Sequence, residues 1–187
     1  MIAFDLSDIR QSATFGTRET FAIEVSFLEY FEPFGYAEIE FWIANNKIGN
    51  KHDTADLFAS CNAAQDWLAQ APFWKREDLS LSPAIEVLEK LTVFDWGSSV
   101  RFPYESHIEQ YNLGSVGDCS VENEAAVVMI QTSSSTERLC VCFFGEPRFL
   151  DVALPLGTCE TVVRQYRAWC ELIKRKHKYG QVAPVRS

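Results

Sequence analysis

Two extended runs joined by a turn constrain the fold more than any other feature of this chain. Residues 20–31 (TFAIEVSFLEYF) are dense in aromatic and β-branched side chains, which suit a pleated, half-buried backbone. Glu32-Pro33-Phe34-Gly35 carries turn chemistry. Residues 36–43 then alternate, with Tyr36, Glu38 and Glu40 on one parity and Ala37, Ile39 and Phe41 on the other. Successive strand side chains point to opposite faces, so the returning run has one apolar face and one lined with carboxylates. Together the runs predict a β-hairpin whose apolar side needs a cover. Lys47-Ile48-Gly49-Asn50 reads as an irregular extension at its end.

The cover is supplied downstream. Asp53 or Thr54 is placed to cap a helix ending near residue 70. Leu57, Phe58, Cys61, Ala64, Trp67 and Leu68 form its apolar stripe, and Pro72 stops it. Ser82-Pro83 opens a second helix through residue 91, with Ile85, Leu88 and Leu91 inward. Residues 100–123 hold a proline and two glycines without periodicity and read as a long irregular segment. Strands at 125–132, 137–144 and 147–153 form a meander. Thr158 caps a last helix over 159–178, striped by Val162, Val163, Tyr166, Trp169, Cys170 and Ile173 and stopped by Gly180. Strands at both ends with helices between them predict one α+β domain over 1–187. Its largely antiparallel sheet, N-terminal hairpin plus C-terminal meander, is covered on one side by helices.

Charge and cysteines narrow the class. Residues 1–163 carry 25 acids against 10 bases, a balance of −15, whereas 164–187 carry seven bases against Glu171. The acidic body would repel phosphates, and bases in a helix's last turns complement its dipole, so nucleic acid is not an expected partner. The N-terminus lacks a basic start followed by an apolar run, and no apolar stretch approaches the ~20 residues of a membrane span. The expectation is a cytoplasmic protein with no membrane partner, a monomer or weak homodimer. Cys61, Cys119, Cys140, Cys142, Cys159 and Cys170 mostly sit in apolar or helical patterns and read as reduced, buried thiols. With no C-x-x-C pair and only three separated histidines, neither a metal nor a cofactor is expected.

Motifs for catalysis are sparse. The chain has no G-x-G-x-x-G, P-loop, G-x-S-x-G or H-E-x-x-H. His52-Asp53 supplies too few ligands for a metal, and Asp53 is a natural cap. Glu38 and Glu40 would stand about 7 Å apart, a glycosidase-like spacing, yet such pairs are common on solvated strands. Glu105, His107 and Glu109 alternate, and on a strand they would share a face. That makes a small hydrolase the alternative to a protein that is not an enzyme and works by binding.

The run FAIEVSFLEY…FGYAEIEFWIANNKIGN is similar to the N-terminal signature of bacterial immunity proteins of polymorphic-toxin and contact-dependent growth-inhibition systems. It most resembles the immunity protein 42 family. RFLDVALPLGTCETVVRQYRAW resembles that family's later strand, Leu-Pro-x-Gly turn and closing helix. Residues 53–123 carry no such likeness, and Asn50 stands where the family has an acidic residue. The resemblance implies a cytoplasmic inhibitor that binds a partner effector's C-terminal toxin domain and carries no catalytic residues. Toxins that attack nucleic acids present basic clefts, which an acidic inhibitor complements.

Two sets of acids interleaved with aromatics could make that contact. One is Glu29, Tyr30, Glu32, Glu38 and Glu40 on the hairpin. The other is Glu105, Glu109, Tyr111, Asp118, Glu122 and Glu124 in the irregular segment. The second is favoured, because long segments outside regular structure more often serve function.

Overall fold

A computed structural model describes residues 11–49, 53–91, 108–145 and 148–179. The expected hairpin is its largest feature. Strand β2 (Phe21–Phe31) pairs antiparallel with β3 (Phe34–Ile43) around a Glu32–Pro33 turn whose peptide bond is cis. β1 (Ser12–Gly16), which the sequence reading did not include, adds to the free side of β2. The extension after Ile43 is not irregular. Ala44 and Asn45 both take positive φ, the geometry of a tight hairpin turn, and fold β4 (Asn46–Ile48) back onto β3. A short β5 (Ala55–Asp56) pairs with the other end of β3 and completes a five-stranded sheet.

Because Ala55 and Asp56 stay extended, the cap of helix α1 (Leu57–Ala69) is Asp56, not Asp53 or Thr54. Its carboxylate accepts the Phe58 N–H at 3.0 Å and the Gly35 N–H at 3.3 Å, tying helix start to hairpin. All six expected stripe residues of α1 are buried. Helix α2 (Ala84–Leu91) departs from its expected face. Ile85 is exposed, and the buried set is Ala84, Val87, Leu88 and Leu91, spaced i, i+3, i+4, i+7.

Residues 108–124 are packed rather than loose. Tight single turns at Ile108–Tyr111 and Gly114–Gly117 lead to the short helix α3 (Cys119–Glu122), and Leu113, Val116 and Val121 are fully buried. The meander follows as β6 (Ala125–Gln131), β7 (Thr136–Phe143) and β8 (Phe149–Pro155), a separate three-stranded antiparallel sheet. Helix α4 (Thr158–Tyr179) then returns with its whole expected stripe buried. The stop expected at Gly180 lies outside the described residues.

The protein is therefore α+β with antiparallel pairing throughout both sheets, and hairpin and meander occupy different sheets. One continuous core joins the inner face of the larger sheet, α1, α4 and one face of the smaller sheet. A second packs the other face of the smaller sheet, through Val128, Ile130 and Cys140, against α2 and Leu79. Covered on both faces, β6 needs apolar residues at every position, which explains its unbroken AAVVMI.

Candidate functional site

Directly paired residues of antiparallel strands share a face, so the register assembles the outer side of the larger sheet row by row. Thr14, Glu24 and Glu40 form one row, Ser12, Ser26 and Glu38 the next, and Glu29, Tyr36 and Asp56 a third. Phe31 and Phe34 close the hairpin tip on the same side. Five carboxylates thus line the face behind the tip, and Glu32 stands in the turn.

Those acids are not equivalent. Glu24 receives a two-pronged bond from Arg18, at 2.7 and 2.9 Å, and the guanidinium stacks 4.1 Å from the Trp42 ring centre. Glu40, expected as an exposed contact, is only 8% exposed and pairs with Lys47 at 3.1 Å. The β4 return carries Lys47 across the face, which sequence spacing could not show. Asp56 is engaged as the helix cap. Glu29, Glu32 and Glu38 remain solvent-accessible and make no ion pair with a described residue.

Tyr30 is corrected to the inner side. A bulge between Phe27 and Glu29 shifts the strand's parity, and the Tyr30 ring packs near Phe58 and stacks on His177. The same bulge leaves Leu28 46% exposed, and at the tip Phe31 is 70% and Phe34 46% exposed. These three apolar contacts were not singled out from sequence. Phe34 had a signal, since it shares the parity of Tyr36 and Glu38, but the bulge that exposes Leu28 has none.

The favoured segment proves to be largely committed to the fold. Tyr111 is buried, its hydroxyl donating to the Phe73 carbonyl at 3.1 Å, so it is a core residue and not a contact. Asp118 adopts φ 52° and accepts the Asp56 N–H at 2.8 Å, pinning the segment to β5. Glu122 accepts a 3.3 Å bond from Asn112. Glu124 is half-buried, and its carbonyl takes the Phe144 N–H at 2.8 Å. Glu105 and His107 lie outside the described residues, as do Asn50 and His52. The backbone of Glu109 lies in a tight helical turn, so the strand-like alternation proposed for 105–109 fails at that residue.

Other polar groups are held inside the fold. Between α1 and α4 the Tyr166 hydroxyl donates to Ser60 Oγ at 2.5 Å, and Ser60 donates in turn to the Val116 carbonyl. Burial pushes the Tyr166 hydroxyl and the Cys170 thiol well above their ordinary pKa ranges. Burial likewise raises Cys140 to about 12 and Cys142 to about 11. All six cysteines are free thiols, five of them buried, and Cys119 is half-buried. Among the described residues no group of His, Cys, Asp and Glu is arranged to hold a metal, and no helix is long and apolar enough to cross a membrane.

Among solved structures, the chain is similar to CdiI from Burkholderia dolosa AUO158, with a TM-score of 0.66 over 83% of this chain and 99% of that one. Sequence identity is 13%, so the likeness is one of fold. No protein-family model and no curated protein matches the sequence.

Proposed function

We propose that the protein is an immunity protein, which binds and neutralises the toxin domain of a cognate growth-inhibition effector. One observation carries the reading. The fold is shared with CdiI, a contact-dependent growth-inhibition immunity protein, and two segments of the sequence independently resemble proteins of that class. The work is done by binding and not by catalysis. The partner is a cationic domain, with a nuclease the favoured form, because the body of the chain carries −15 over residues 1–163 and six acids without a base between Arg18 and Lys47. Glu29, Glu32 and Glu38 are the acids best placed to meet it. The chain acts in the cytoplasm as one domain, since the core runs unbroken from the larger sheet to the smaller, and as a monomer or weak homodimer.

The test is protection. Cells producing the C-terminal domain of the effector encoded directly upstream are expected to grow only when this chain is co-produced, and the two proteins to purify as a complex. Continued killing together with no complex would remove the proposal.

A further inference from the structure

Resting on that reading, we infer that the tip of the β2–β3 hairpin, on its outer face, is the docking surface, and that it takes an apolar projection of the partner ringed by lysine or arginine.

Eight large hydrophobic side chains are exposed among the described residues, and three of them, Leu28, Phe31 and Phe34, fall within seven positions. Phe31 and Phe34 are direct cross-strand partners, and the Phe34 ring centre lies 6.5 Å from that of Tyr36. Leaving such rings in water forgoes about 25 cal/mol for each Å² that could be buried, so a grouped set marks a surface that something covers. Aromatic groups at the middle of a patch are also the residues that dominate interface energies.

The rim identifies the occupant. Glu29 stands beside Tyr36, Glu32 is in the turn and Glu38 is one row back, with no base from residue 19 to 46. A second copy of this chain is disfavoured, because a two-fold contact at the tip would set these acids against their own copies. An anionic bilayer would be repelled by the same charges. The basic end of α4 lies behind the hairpin, with His177 against the inward rings of Phe27 and Tyr30 and Lys174 over Phe58, so it does not neutralise the outer rim. A cationic protein surface is what remains. Of the competing 100–124 segment, the described residues 110–124 offer no comparable patch, since their large apolar side chains are buried and Asp118 and Glu122 are occupied within the fold.

Calorimetric titration of the full chain with the purified C-terminal domain of the upstream effector tests this. Phe31→Ala/Phe34→Ala is expected to weaken binding about 100-fold. Glu29→Lys/Glu38→Lys should weaken affinity about tenfold, while Glu122→Lys should change it less than about threefold. As a check independent of variants, hydrogen exchange on the wild-type complex should show new protection at residues 28–38. If the wild type binds but the hairpin variants bind equally well, or protection is confined to 112–124, the inference is overturned and the immunity role stands. If the wild type neither binds nor protects, the role itself fails. A wild-type dimer that the Phe31→Ala/Phe34→Ala change dissociates would assign the patch to self-association and also overturn the inference.

Discussion

Cys119 shows how a residue's neighbours set its chemistry. Its thiol is pushed above the usual range first by burial and then by the charges of Asp118 and Asp53. It should therefore react slowly with an alkylating agent at neutral pH. Asp118→Asn keeps an oxygen for the Asp56 N–H but removes a negative charge, so the rate at Cys119 should rise several-fold, as peptide mass spectrometry would show. His177 works in the opposite direction. Burial, with help from Lys176, lowers its pKa below the unfolded value, so the folded state prefers the neutral ring. Its contribution is present above the unfolded pKa and is lost as pH falls through it, because the unfolded chain then takes up a proton that the folded chain resists. Melting temperature should fall between pH of about 7 and about 5, and His177→Phe should flatten that part of the profile. At this scale the alternation of residues 36–43 placed Glu38 on the outer face of β3, whereas the face of Glu29 depends on the bulge. The alternation could not distinguish Glu38 from Glu40, whose burial depends on where Lys47 arrives.

Long elements with one buried face were the legible ones, whereas the five-residue β1 was not. The stripes of α1 and α4 and the alternation of β3 follow from local periodicity, and the structure keeps each of them. α2 is short, and Ile85 shows the weakness of eight residues, where one more apolar position can be fitted to either side of the stripe. Leu88→Ala should cost about 3 kcal/mol and Ile85→Ala less than about 0.5 kcal/mol, measured by urea denaturation. A polar turn follows Ile43 in the sequence, but β4 beyond it was read as irregular, because only Asn45 of the turn pair is a residue that favours positive φ and Ala44, at φ 48°, is not. Gly49, just beyond, is held at φ 120°, where an added Cβ would lie 2.8 Å from the Ile39 carbonyl oxygen. Gly49→Ala should lower stability by about 3 kcal/mol, with an unchanged denaturant slope marking a native-state effect. The Ile48-Gly49 pair of the sequence resemblance thus has a packing reason of its own.

At the scale of the molecule, Glu29 and Glu38 lie on the outer face of the larger sheet, while Lys174 lies over Phe58 on its inner side. Association with a cationic partner should therefore be steered over distance. Its rate constant, followed by stopped-flow fluorescence of the five tryptophans, should fall about tenfold between about 10 and about 150 mM salt, while dissociation changes little. The α+β class, the hairpin, the meander and the two long helices were fixed by sequence alone, because each is written in the spacing of apolar residues a few positions apart. Tertiary structure alone decided that the strands divide into two sheets, that Leu113, Val116 and Val121 join the core, and that Tyr111 turns inward. These depend on contacts between residues far apart in the chain, such as Asp56 with Asp118, 62 positions away, and local periodicity holds no record of such partners.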